Sequence, residues 1–279
     1  KDSYILDVFR VAKDEVFGNN HTSEHVKFNH FTFGDVKVEG LNMIKTEDFD
    51  KGVLKDKLLM KNYMVDKYAK PGWSADFKID DYYKVLAEQD DIHIKYTDLT
   101  LGIEACIAEA WIDAGGFDYN NSVWIPCLVL KKNAIQGDPV TTFISIIEPY
   151  ENQSNINSIK RLLLNYKNGD PALETDAAIE ICFKDGRKDL LFTIDCEDPM
   201  YRKAGIGKGT RVIQKDWDVE FNGELCMIRK NVEGMVESIF ICNADYIRIE
   251  NVLLNMENKV KWIEAVVKNG KIVSKDVNY

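Results

Sequence analysis

Ala177-Ala178-Ile179-Glu180-Ile181-Cys182-Phe183, then Lys184-Asp185-Gly186-Arg187, then Lys188-Asp189-Leu190-Leu191-Phe192-Thr193-Ile194 is the stretch that decides the fold. Two runs of β-branched and aromatic residues flank an Asp-Gly step, which supplies the positive backbone angles of a two-residue hairpin turn. Pairing about that turn sets Ile179 opposite Phe192 and Ile181 opposite Leu190 on one face, and leaves Glu180, Arg187 and Asp189 on the other. The segment reads as an antiparallel hairpin with one face in a core and one in water.

The same device recurs at Asn222-Gly223, between Trp217–Phe221 and Leu225–Ile228, and at Asn269-Gly270, between Ala265–Val267 and Lys271–Val273. Further strands are expected over 4–9, 92–100, 124–131, 141–149, 158–166 and 246–254. Strands this frequent, joined by short turns, predict an all-β antiparallel sandwich rather than alternating β-α units. The stretch 46–91, rich in Lys, Asp and Tyr with weak periodicity, reads as a loop-rich insertion. A change of composition over 195–209 divides the chain into a large antiparallel β-sandwich region, 1–200, and a smaller C-terminal β unit, 201–279.

Composition narrows the function. Thirty-six basic against 46 acidic residues in a chain of 279 give a net charge of −10, which opposes attraction to nucleic acid and to anionic membranes. No apolar run reaches the roughly 18 residues of a membrane span, so a soluble protein is expected, with cytoplasm and periplasm both open. The chain opens on Lys1 with a strand almost at once, an opening that implies a longer precursor. Cys106, Cys127, Cys182, Cys196, Cys226 and Cys242 stand singly among apolar neighbours. They lack metal or redox spacing and read as buried free thiols.

Several segments, in order, carry a resemblance: Ser3–Val11 (SYILDVFRV), His25–His30 (HVKFNH), Gly72–Ile79 (GWSADFKI), Ile125–Leu130 (IPCLVL), Thr142–Tyr150 (TFISIIEPY) and Lys184–Arg187 (KDGR) within its hairpin. Together, over about 200 residues, they resemble the C-terminal half of heparinase II/III-like polysaccharide lyases, a group that includes heparin, heparan sulfate and oligoalginate lyases. The resemblance implies an antiparallel β-sandwich region that partners an N-terminal helical toroid, and cleavage of uronate-containing glycans by β-elimination. That chemistry needs a base for the C5 proton, an acid for the leaving oxygen and neutralisation of the uronate carboxylate. In the family a Tyr and a His of the toroid, and a further His with zinc ligands in an H-x-H-x-D motif, are associated with the site. This sequence has neither the motif nor a toroid, so the resemblance implies the non-catalytic portion of such a lyase. Its partners would be an acidic polysaccharide or oligosaccharide and the toroid of the parent chain. The alternative is an independent carbohydrate-binding β-sandwich module.

His25 and His30 are candidate glycan contacts, since they keep the separation of a paired-His stretch in that family, although Val26 stands where an acidic residue is usual. His21, His25 and His30 are the candidate metal ligands, with zinc the ion they would suit. On a strand His25 and His30 face opposite sides, and the expectation is no bound metal or cofactor. In 201–211 a P-loop fails, because Arg202 stands where the first glycine belongs and Gly209 where Ser or Thr belongs. Arg202 and Lys203 are therefore candidate contacts for an acidic glycan. Lysines 51, 55, 57, 61, 67 and 70 alternate with Tyr63 and Tyr68, diluted by Asp50, Asp56 and Asp66. Among the tryptophans, Trp73 and Trp111 lie near loop signals and are the candidates for stacking on sugar rings, whereas Trp217 sits in strand alternation and packs inward.

Overall fold

The computed structural model describes residues 3–12, 24–29, 34–47, 60–81, 84–87, 90–113, 122–133, 140–195 and 211–278. It is all-β, with antiparallel sheets throughout. Two compact units divide at Ser154/Asn155, well before the compositional change over 195–209. The reason is hydrogen bonding: Lys188–Thr193 pairs with Leu225–Lys230, which ties the deciding hairpin to the C-terminal strands.

The first unit contains β1 (Ile5–Ala12), β2 (Glu24–Asn29), β3 (Val36–Glu39), β4 (Ile44–Lys45), β5 (Met60–Ala69), β6 (Ser74–Lys78), β7 (Ile92–Asp98), β8 (Ile103–Asp113), β9 (Ser122–Asn133) and β10 (Val140–Glu151). They form two five-stranded sheets, ordered β1-β10-β7-β6-β3 and β2-β9-β8-β5-β4. Alternation turns Ala75, Phe77, Tyr96 and Phe143 of the first sheet into one core with Ala105, Leu128 and Leu130 of the second, the two-layer solution for sheets with one apolar face each. A second cluster, with Tyr63, Val65, Cys106, Cys127 and Val129, occupies the opposite face of the second sheet. Burial there pushes the Cys127 thiol up to about 12, so it stays protonated and inert.

The stretch 46–91 is not merely an insertion, since it supplies β5 and β6. Two register shifts in β5, between Lys61 and Met64 and between Asp66 and Ala69, break the period-two alternation that identifies a strand. A polar pin joins the sheets: Lys27 on β2 pairs with Asp7 on β1, and Ser145 Oγ on β10 donates to Asp7 Oδ2 at 3.1 Å.

The second unit contains β11 (Ile156–Leu162), β12 (Asn165–Tyr166), β13 (Ala177–Phe183), β14 (Lys188–Thr193), β15 (Val212–Gln214), β16 (Val219–Asn222), β17 (Leu225–Lys230), β18 (Val236–Ile249), β19 (Val252–Lys268) and β20 (Lys271–Asn278). They make one ten-stranded curled sheet around a core that includes Phe192, Trp217, Phe221, Ile241 and Ile263. Trp217 packs inward, as its alternation predicts.

The deciding hairpin forms with its register moved by one residue. Ile179 lies opposite Leu191 and Ile181 opposite Asp189, so Glu180 shares a face with Leu190 while Asp189 is fully buried. Phe183 N–H donates to Arg187 O at 2.9 Å, and only Gly186 in the loop has a positive φ, 96°. This is a three-residue loop closed by a left-handed glycine rather than the two-residue turn expected of Asp-Gly. Asp189 is accommodated by a two-pronged pair with Arg229, at 2.7 Å on each oxygen.

Of the other two turns, Asn269-Gly270 is a two-residue hairpin with both φ positive, 50° and 69°. Asn222-Gly223 is no hairpin, because β16 and β17 do not pair with each other; each pairs with a different length of β18. The expected strand 246–254 is the end of β18, a turn at Glu250-Asn251 and the start of β19.

Candidate functional site

Four of the sequence-derived site residues, His21, His30, Arg202 and Lys203, lie outside the described residues. Trp73 does not stack on solvent sugars: it is 2% exposed and packs on Tyr96 with ring centres 5.7 Å apart. It follows the Pro71-Gly72 turn, and its carbonyl accepts the Asp98 N–H at 3.0 Å, which fixes it over the core at the start of β6. Trp111 is exposed on β8, directly opposite Trp124 on β9.

His25 is half-buried on β2, opposite Lys132 and two residues from Lys27 on the same face. Among the described residues no group of three His, Cys, Asp or Glu side chains could hold a metal ion. His25 and Trp111 are not brought together either. Their cross-strand partners stand eight residues apart on β9, about 26 Å at ~3.3 Å per residue.

What the fold does assemble is a cluster on the first sheet, on the face turned away from the second. In β7, Tyr96 points into the core and alternation turns His93 and Lys95 outward. Register then sets Tyr150 of β10 and Lys78 of β6 beside His93, and Glu148 and Asp76 beside Lys95. His93 Nδ1 lies 3.0 Å from Asp76 Oδ1, and its Nε2 lies 3.3 Å from Asp91 Oδ1. The ring stacks on Tyr150 at 4.9 Å and 13°, while the Tyr150 hydroxyl donates to Asp76 Oδ2. Lys78 Nζ holds Asp91 at 2.7 Å and is the main cause of that carboxyl lying below its ordinary range. Burial, with Asp76 next in effect, pushes the Tyr150 phenol well up, so it remains a donor at neutral pH.

Both imidazole nitrogens face carboxylates, and the phenol donates to Asp76. The cluster is a fixed polar network: the His93 and Tyr150 rings stack on each other, Lys78 is held by Asp91, and Lys95 lies beside Asp76 and Glu148. Sequence reading missed His93, the one histidine outside the 21–30 group. Its signal was the alternation Ile92-His93-Ile94-Lys95, which puts it on a polar strand face; its partners come from register, which no local pattern encodes.

No protein-family model matches the chain, and no curated protein sequence matches it.

Proposed function

We propose that this chain is the non-catalytic β region of a heparinase II/III-like polysaccharide lyase, supporting a catalytic toroid and lining part of a cleft for uronate-containing glycan. One observation carries the reading. Gly72–Ile79 and Thr142–Tyr150, two of the segments in which the resemblance resides, supply Asp76, Lys78 and Tyr150, which meet around His93 on one sheet face. Lys78, exposed beside Asp91, and Lys95 are the cations of that face, and the pinned His93 and Tyr150 accord with holding a chain rather than breaking it.

The isolated chain should release no unsaturated uronate, read by ultraviolet absorbance, from heparan sulfate, hyaluronan, alginate or chondroitin, and should bind at least one of them saturably. Lys78→Gln combined with Lys95→Gln should weaken that binding by about five- to tenfold, roughly 1 to 1.4 kcal/mol, without lowering thermal stability. Product formation by the chain alone would sink the non-catalytic assignment. Binding indifferent to the two lysines would remove this face from the cleft.

A further inference from the structure

The second sheet carries an exposed aromatic surface that this reading does not use. Along the face of β8 and β9 that meets the first sheet, burial declines residue by residue. Leu128 is fully buried, Ile107 opposite it is half-buried, the Glu109/Pro126 pair is half-buried, and Trp111 and Trp124 are each 37% exposed. The two strands thus run on past the packed core and present two indoles side by side in solvent. Trp73 and Trp217, by contrast, are 2% and 5% exposed, so the fold buries indoles elsewhere and leaves this pair out.

The polar groups around the pair are held in place and balanced in charge. Lys61 Nζ sits 4.0 Å from the centre of the Trp124 ring and 3.3 Å from Glu109 Oε2, which also accepts from Asn62 Nδ2 at 3.0 Å. Ammonium over indole is a favourable contact, and Glu109 cancels its charge locally. Two partly exposed indoles, one capped by the Lys61 ammonium, with one acceptor and two donors and with Lys61 and Glu109 cancelling in charge, complement a ring that has an apolar C–H face and hydroxyls at its rim. The surface offers nothing to an isolated anion, because a carboxylate drawn to Lys61 meets Glu109.

We propose that Trp111, Trp124, Lys61, Glu109 and Asn62 form a binding site for a neutral pyranose chain, separate from the His93 face. Each indole stacks on one sugar face, Glu109 accepts from a hydroxyl, and Lys61 and Asn62 donate to others. The site acts as a grip on uncharged polysaccharide and involves no bond making or breaking.

The test is calorimetry with cellohexaose, xylohexaose and mannohexaose on the whole chain, with Trp111→Ala, Trp124→Ala and Lys78→Gln variants beside the wild type. Saturable binding of at least one of the three is expected. Either tryptophan substitution should weaken it at least about tenfold, in the range of one lost ring stack, with the β-sheet circular dichroism spectrum retained at the temperature of the titration. Raising salt should leave it nearly unchanged, because no net charge is neutralised, and Lys78→Gln should have no effect. Absence of binding to all three sugars overturns the proposal, as does binding indifferent to both tryptophans. Salt-sensitive binding of only acidic glycans through Trp124 overturns the neutral class. Self-association of the wild type that Trp111→Ala abolishes would make this face a contact between copies and overturn the proposal as well. None of these outcomes touches the Lys78/Lys95 test of the lyase reading, so the two can fail separately.

Discussion

Asp98 shows how one side chain can carry a pH response without lying at a site. It is fully buried at the end of β7, where it accepts from Tyr96 Oη at 2.7 Å and from the Thr100 N–H at 2.9 Å. Burial raises its pKa from 3.8 to about 6, against the opposing pull of those hydrogen bonds and of the Lys27 charge. An acid whose folded pKa exceeds its unfolded one binds more protons when folded. Its stabilising contribution is therefore complete below about pH 3.8 and is lost as pH rises through about 6. Wild type should hence lose up to roughly 3 kcal/mol relative to Asp98→Asn between pH 4 and pH 7.5, measured by urea unfolding at each pH. A flat difference would place the burial penalty elsewhere. Residues like this one are poorly legible in sequence: Tyr96-Thr97-Asp98 reads as ordinary strand alternation, and only the packed sheet reveals that the carboxyl faces inward. Trp73 was misread for the same reason, since a turn residue beside Pro71-Gly72 looks exposed until β6 folds over the core.

At the scale of elements, turn chemistry predicted where chain reversals fall better than it predicted what they join. Asn269-Gly270 behaves as its residues dictate. At Lys184–Arg187 a single extra loop residue shifts every pair of β13 and β14 by one, exchanging the environments of Glu180 and Asp189, as follows from a side-chain period of two. Asn222-Gly223 was misassigned because glycine serves there for closeness, not for a positive φ. A Cβ built on Gly223 would overlap Ala244 on β18 and lie 2.7 Å from Phe221 Cζ. Gly223→Ala should therefore cost about 2 to 3 kcal/mol by overpacking. Gly169→Ala, at φ 96° with no atom near the new methyl, should cost only about 1 kcal/mol of backbone strain. Chemical denaturation of the two variants tests the ranking, and equal costs would mean that the β18 contact yields easily. Of the strands that sequence left out, β5 was hidden by its own bulges.

For the whole molecule, the all-β class was legible because strand periodicity and turn residues are local, whereas the division at Ser154/Asn155 was not, because it depends on which strands pair. Each unit has its own core, so a defect in one core should be read by the amides of that core. In native-state hydrogen exchange, Gly223→Ala should speed exchange at Ile239 and Ile241 and leave Phe143 and Leu128 near their wild-type rates. Uniform acceleration across both cores would show a single cooperative unit. Within the second unit, β18 has a consequence of its own. One edge of this strand is shared, with Val236–Cys242 bonded to β17 and Tyr246–Ile249 to β16. The leaf formed by β12, β15 and β16 thus shares no backbone ladder with β14 and β17 and meets them only through β18 and the common core, where Phe221 packs on Phe192, which makes β18 the spine of a book whose two pages are pressed together.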